Sequence, residues 1–176
     1  MFAITERLLL RPGWVEDAPA LCRTIGDEAV VRNLARAPWP YTPGDAERFL
    51  QQPPVPHRPN FLVFLRDTAE LVGGIGLKGE AHAELGYWIA RAHWGKGFAR
   101  EAGQAVVDLC DASLRLPRLE SEYAIDNPAS GNVLAKLGFR PSGAVAERYS
   151  LGRKGPITVR LCARERAPDE RAPIAA

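Results

Sequence analysis

The run Trp94-Gly95-Lys96-Gly97-Phe98-Ala99-Arg100-Glu101-Ala102 is the stretch of this 176-residue chain whose residue types and spacing point most directly to chemistry. It follows a strand-like segment and opens a helix-like one. The first turn of a helix leaves about four backbone N–H groups without partners. Glycines ahead of them let the chain curl around a phosphate without side-chain obstruction. The helix dipole contributes partial positive charge there, and Lys96 and Arg100 contribute full charges. The run reads as an anion cradle for a phosphorylated ligand, although an ordinary Gly-rich connection from strand to helix fits the same letters. The G-x-x-x-x-G-K-[ST] spacing of a P-loop is missing.

A second glycine pattern, Gly74-Ile75-Gly76-Leu77-Lys78-Gly79, matches G-x-G-x-x-G. A dinucleotide fingerprint must open a helix so that the pyrophosphate meets its N-terminus. The residues after Gly79 alternate as a strand does, and too little chain follows for a doubly wound nucleotide domain with a substrate domain. The better reading is a strand whose small residues allow a twist or a close approach.

The elements that must position the loop follow from periodicity. Ile4 to Arg11 reads as a strand ending at Pro12-Gly13. Val15, Ala18, Leu21, Cys22 and Ile25 form one apolar helix face that Gly26 ends. A short helix carries Val30, Val31 and Leu34. Ala37 to Pro43 is an aromatic loop, Asp45 to Gln52 a third short helix, and Pro53 to Pro59 an extended loop with four prolines. Phe61–Arg66 and Leu71–Lys78 are strands joined by a turn at Asp67–Glu70. Ala83 to Ala90 is a third strand, with Glu84, Gly86 and Trp88 on one face and Leu85, Tyr87 and Ile89 on the other. The long helix after Gly97 carries the stripe Phe98, Ala102, Val106, Leu109 and Ser113. Arg118 to Ile125 alternates as a strand. Asn127 to Leu137 is a helix that Gly138 caps, and Phe139–Ala144 and Ile157–Ala163 complete the strands. The expectation is one domain over residues 1–164 and a loose tail over residues 165–176.

Composition is that of an ordinary soluble domain, with 46% hydrophobic and 25% charged residues and a formal net charge of +2. Nothing demands the basic face of a nucleic-acid binder. No apolar run approaches the ~20 residues of a membrane span, and no leader pattern opens the chain. The expected compartment is the cytoplasm, with no nucleic acid or membrane as partner. Cys22, Cys110 and Cys162 are odd in number and far apart, without metal-ligand spacing, so neither a disulfide framework nor a metal is expected. The cysteines read as small buried hydrophobes. His57, His82 and His93 read as surface or hydrogen-bonded histidines, and Arg148, Arg153 and Lys154 as solvated charges or a small basic rim.

Glu84-Leu85-Gly86-Tyr87-Trp88-Ile89, then the Trp94–Ala102 run, then Asn127-Pro128-Ala129-Ser130 with Lys136-Leu137-Gly138-Phe139, resemble the GNAT superfamily of acetyl-CoA-dependent N-acetyltransferases. Thr5-Glu6-Arg7-Leu8-Leu9-Leu10-Arg11 and Trp39-Pro40-Tyr41-Thr42 resemble its RimJ/RimL-like branch, which acetylates ribosomal-protein N-termini. The resemblance spans roughly Thr5 to Ala163. It implies a mixed, mostly antiparallel twisted α/β sheet flanked by helices, with acetyl-CoA in a cleft between two central strands. The family phosphate motif Q/R-x-x-G-x-G/A falls on Trp94, Gly95, Lys96, Gly97, Phe98 and Ala99, with Trp94 departing from Gln or Arg. Arg100 adds charge beside it. The resemblance further implies that backbone groups of Tyr87, Trp88 and Ile89 pair with the pantetheine arm, and that Asn127 contacts it.

The implied reaction moves acetyl from acetyl-CoA to a primary amine, either a protein N-terminus or a small molecule. The amine must be neutral, the oxyanion stabilised and the departing thiolate protonated. Glu84 matches the glutamate base of histone-type relatives; pairing with a neighbour is its plain alternative. Ser130 matches the serine acid of RimL-like enzymes, on the first helical turn after Asn127 and Pro128. A tyrosine used elsewhere in the family falls on Leu134 here. Trp39 and Tyr41 either line the acceptor groove or simply cover the sheet. The assembly is expected to be a monomer or homodimer. The rival readings are a non-catalytic acyl-CoA-binding domain and a nucleotide oxidoreductase built on Gly74–Gly79.

Overall fold

The structure, a computed structural model, describes residues 1–79 and 82–166. Strands β1 (Ala3–Ile4), β2 (Leu8–Arg11), β3 (Asn60–Leu65), β4 (Leu71–Lys78), β5 (Ala83–Ile89), β6 (Arg118–Ala124), β7 (Arg140–Ser150) and β8 (Gly155–Glu165) form one sheet in the order β1-β2-β3-β4-β5-β6-β8-β7. Every neighbouring pair is antiparallel except β5 with β6. The helices are α1 (Ala18–Ile25), α2 (Glu28–Val31), α3 (Pro43–Leu50), α4 (Phe98–Leu109) and α5 (Pro128–Lys136).

Alternation along the strands gives the sheet two apolar faces. Leu8, Leu10, Phe61, Val63, Leu85 and Leu119 pack with Phe98, Ala102 and Val106 of α4 and Leu134 of α5. Leu62, Phe64 and Leu71 pack on the other face with Leu21 and Ile25 of α1, Val30 and Val31 of α2, and Ala46 of α3. The central strands are apolar on both faces because helices cover both. Gly103 is where α4 meets α5, since a Cβ there would lie 2.4 Å from Leu137 Cδ1.

The feature that prepares a site lies in the middle of the sheet. Strands β5 and β6 pair only through Ala83–Leu119 and Glu84–Glu120. Beyond Leu85 they part, and the sheet opens there between its two halves. The carbonyl of Leu85 still accepts a hydrogen bond from the buried Ser121 Oγ at 2.8 Å, which marks where the opening starts.

Several expectations are corrected. The first strand is broken into β1 and β2, which pair with each other, because Thr5 closes a turn: its N–H donates to the Leu8 carbonyl, and its Oγ1 accepts from the Leu8 N–H. Helix α3 starts earlier, at Pro43, under a capping box between Thr42 and Asp45. The long helix ends at Leu109 and continues as a wide π turn over Cys110–Leu114, which takes Ser113 off the apolar stripe. Strand β7 runs on to Ser150 past an irregularity between Pro141 and Val145. Glu165 belongs to β8 and pairs with Arg118, whose guanidinium lies 2.7 Å from its carboxylate. The rest of the expected tail, residues 167–176, lies outside the described residues, as do residues 80 and 81. Among the described residues, no helix is long and apolar enough to cross a membrane.

The Gly74–Gly79 run lies in β4 and its exit, not at a helix start. A Cβ on Gly74 would sit 2.5 Å from Trp88 Nε1, and one on Gly76 would sit 2.9 Å from the Pro59 carbonyl oxygen. These glycines admit neighbours within the sheet.

Candidate cofactor and acyl-transfer site

At the end of β5 the chain passes through a short helical turn (Arg91–His93) into Trp94-Gly95-Lys96-Gly97 and then into α4. Gly95 and Gly97 both hold positive φ, +76° and +83°. Gly97 is the N-cap of α4 and provides no side-chain cap for the first N–H groups of the helix. A Cβ on Gly95 would meet nothing within 4 Å. Phe98 is buried in the core, which leaves only its backbone to the loop; Trp94, Lys96 and Arg100 are exposed and Ala99 is half-buried.

The loop is held from three sides. The Trp94 indole N–H donates to the Ile89 carbonyl at 2.7 Å. The Arg7 guanidinium donates to the Lys96 carbonyl at 3.0 Å, lies 2.6 Å from the Glu101 carboxylate and stands 4.7 Å over the Phe98 ring. Thr5 Oγ1 and the Arg7 N–H also donate to Glu101. The N-terminal Thr5-Glu6-Arg7 segment therefore fastens the first turn of α4. On the third side, Lys96 Nζ lies 3.4 Å from His93 Nδ1, and His93 Nε2 lies 2.9 Å from Glu70. His93 is buried within this chain of contacts.

Backbone alternation sorts the three residues expected to meet a pantetheine arm. The Ala90 N–H donates to the Val72 carbonyl, and the register pairs Trp88 with Gly74. Groups two residues apart point the same way, so the N–H and C=O of Trp88 turn towards β4. Those of Leu85, Tyr87 and Ile89 turn towards the opening. The Leu85 and Ile89 carbonyls already accept from Ser121 and Trp94, so Tyr87 turns towards the gap a carbonyl that neither of those side chains takes.

Glu84 sits at the closed end of the gap, half-buried, and its carboxylate is 2.7 Å from Lys78 Nζ on the neighbouring strand. Glu120 pairs in register with it, and Glu122 follows on the same face of β6 by alternation; Arg148 closes on the Glu122 carboxylate at 3.0 Å. Ser130 lies on the first turn of α5. Asn127 is the N-cap residue of that helix, but its side chain makes no capping bond. Sequence reasoning missed the side chain of Tyr87: its phenol oxygen is 2.7 Å from Ser130 Oγ and donates to the Ser130 carbonyl at 3.0 Å. Burial, opposed by the bond with Ser130, pushes its pKa up to about 12. The β5 alternation placed this ring on the α5 face, but nothing local in the sequence named its partner.

Trp39 and Tyr41 are half-buried and pack with Trp88 against the core on the α1 side. Arg153 is bound through both terminal nitrogens to Asp126, and Arg148 to Glu122, so neither stands in a free basic rim. Cys110 and Cys162 are buried and Cys22 is half-buried.

A family model described as an acetyltransferase (GNAT) domain matches residues 7–140. An uncharacterized N-acetyltransferase of Bacillus licheniformis is 32% identical over 150 residues, covering 81% of this chain and 84% of the relative. A ribosomal-protein-serine acetyltransferase of Escherichia coli (strain K12) is 32% identical over 91 residues, 49% of this chain and 50% of that one. The solved structure of RimL, a ribosomal alpha-N-protein acetyltransferase in complex with coenzyme A, superposes with a TM-score of 0.81 over 96% of this chain and 100% of that chain, at 19% identity, a likeness of fold. With its open sheet, its glycine-led α4 and a family match across the whole stretch between them, this chain belongs to the GNAT acetyltransferase family.

Proposed function

We propose that the protein is an acetyl-CoA-dependent N-acetyltransferase acting on a primary amine. The observation that carries this reading is what β5 holds together: it pairs with β6 only as far as Glu84, turns the main-chain groups of Tyr87 away from β4, and leads into the glycine-led N-terminus of α4. The residues fit the cofactor, because the positive-φ glycines leave the cradle clear where a Cβ would otherwise stand. Gly95, Lys96, Gly97, Phe98, Ala99 and Arg100 would hold the diphosphate, mainly through backbone N–H groups. Trp94, Tyr87, Ile89 and Asn127 would flank the pantetheine arm, with Trp88 supporting from behind. When bound, acetyl-CoA supplies the acetyl group as an activated thioester.

The chain's own residues would then handle two protons. Glu84, directly or through a water, takes one from the acceptor ammonium so that a neutral amine is presented. Ser130 holds the other at Oγ, on the helix turn whose dipole favours developing negative charge. Trp39 and Tyr41 border the acceptor side. A protein N-terminus is supported as acceptor by the ribosomal-protein relatives; a small amine fits the same chemistry. The reading takes a monomer or homodimer in the cytoplasm, with β1 to β8 as one catalytic unit.

A second reading, a non-catalytic acyl-CoA-binding domain, draws on the Lys78 ammonium that already occupies Glu84. Calorimetry with coenzyme A, combined with mass-spectrometric detection of acetylated products across amines and peptide N-termini, separates the two. Binding with product formation is the expected result. Binding without any product favours the second reading, and absence of binding overturns both.

A further inference from the structure

The proton inventory around the first turn of α5 is small. Leu134, one turn beyond Ser130, is fully buried and has no proton to give. Tyr123 crosses the same helix where Gly131 makes room: a Cβ there would stand 2.6 Å from its Cζ. Tyr87 reaches Ser130 from β5, across 43 residues of sequence, and touches both of its oxygens.

A serine hydroxyl has one rotatable proton and can accept as well as donate. The phenol also has one proton, placed between two acceptors of the same residue. With the phenol donating to the Ser130 carbonyl, the serine proton is free to donate back to the phenol oxygen. With the phenol donating to Ser130 Oγ, the serine proton is released to point elsewhere. The phenol keeps an acceptor in both arrangements, so the interchange is a rotation. A negative acceptor in the gap selects the second, because a charge-assisted hydrogen bond is roughly twice as strong as a neutral one.

We infer that Tyr87 is the positioning residue for Ser130: its phenol, by moving its hydrogen bond from the Ser130 carbonyl to Ser130 Oγ, turns the serine proton towards the departing thiolate. The inference rests on the acid role proposed above for Ser130. The Ser130 Oγ–H bond breaks as the S–H bond forms, Oγ recovers a proton along the hydrogen bond from the phenol, and solvent returns one to Tyr87. The raised pKa of the phenol keeps it a donor across the working range of pH.

The test uses Tyr87→Phe, Ser130→Ala and the double variant, each checked for an unchanged melting temperature; Tyr87→Phe keeps the ring in the core. Each single variant is expected to lose about tenfold in kcat with KM for acetyl-CoA within about twofold, and the double variant to lose no more than either single. A readout apart from turnover is the ultraviolet ionisation titration of the tyrosines, with Tyr87 assigned by difference against Tyr87→Phe. Ser130→Ala should move that ionisation upward, because it removes the bond that opposes burial. Wild-type kcat in Tyr87→Phe beside an impaired Ser130→Ala overturns the role of Tyr87 and leaves that of Ser130. Wild-type kcat in both overturns the serine acid as well. Additive losses, a Tyr87 titration indifferent to Ser130→Ala, or a Tyr123→Phe deficit that replaces Tyr87 in the non-additive pair also overturn the inference.

Discussion

The indole N–H of Trp94 reaches back five residues to the main-chain carbonyl of Ile89, 2.7 Å away, and fastens the glycine loop to the end of β5. Two parts of the groove, the strand edge and the helix N-terminus, are thereby held at a fixed spacing. The position departs from the Gln or Arg of the family motif, yet it retains what those residues also carry, an N–H donor on a long side chain.

Replacing Trp94 with Phe removes that donor and keeps most of the ring. Stability should fall by about 1 kcal/mol, the worth of an ordinary hydrogen bond. KM for acetyl-CoA should rise by about threefold to tenfold with a smaller change in kcat. Steady-state kinetics beside urea denaturation would check this; an unchanged KM shows that the fastening does not matter to the groove.

Gly97→Ala places a side chain at φ +83° at the N-cap of α4. The left-handed backbone costs about 1–2 kcal/mol for a non-glycine residue, and relief of that strain would turn the first N–H groups of the helix. Coenzyme A binding measured by calorimetry is expected to weaken by more than the stability loss alone explains. Equal affinity for the variant and the parent would remove the cradle from the binding site.

Glu101 ties pH to the fold. Burial raises its pKa, but the hydrogen bonds from Thr5 and Arg7 and the charge of Arg7 outweigh burial and hold it below the ordinary glutamate value of 4.5. A depressed folded-state pKa contributes stability that is fully present above the unfolded value and is lost as pH falls through the lower folded value. Denaturation midpoints taken between neutral pH and about pH 3 should therefore drop less steeply in Glu101→Gln than in the parent. Parallel curves would show that this network adds nothing to stability.

Gly74→Ala tests the strand reading of the glycine run. Its methyl would stand 2.5 Å from Trp88 Nε1, so the indole must move. Overpacking of this kind costs about 1–3 kcal/mol. A fall in melting temperature with a shift in tryptophan fluorescence is the expected outcome. A variant that melts and fluoresces as the parent does would deny the close approach.

Glu84→Gln should lower kcat at neutral pH and flatten the acid limb of the pH–rate profile, while coenzyme A affinity stays within about twofold. Lys78→Ala is the companion measurement: if the ammonium restrains the carboxylate, its removal changes the pH profile and not the affinity. A Glu84→Gln profile superimposable on the parent's would remove Glu84 from the reaction.

What the sequence determined by itself is whatever depends on neighbours within a turn or two. The Gly95–Gly97 loop before an apolar 3.6-residue stripe specified α4 and its glycine-led start, and the alternation of Glu84 to Ile89 specified which side chains share a face of β5. The expectation of one strand over Ile4 to Arg11 failed at Thr5–Arg7, because a three-residue turn closed by a threonine side chain leaves almost no trace in hydropathy. Only the tertiary structure decided the rest. The parting of β5 from β6 after Glu84, the meeting of Tyr87 with Ser130 and the clasp of Arg7 on Glu101 all depend on strand register and helix placement across tens to nearly a hundred residues of chain. Those contacts form only when packing brings distant segments together, and no local periodicity encodes them.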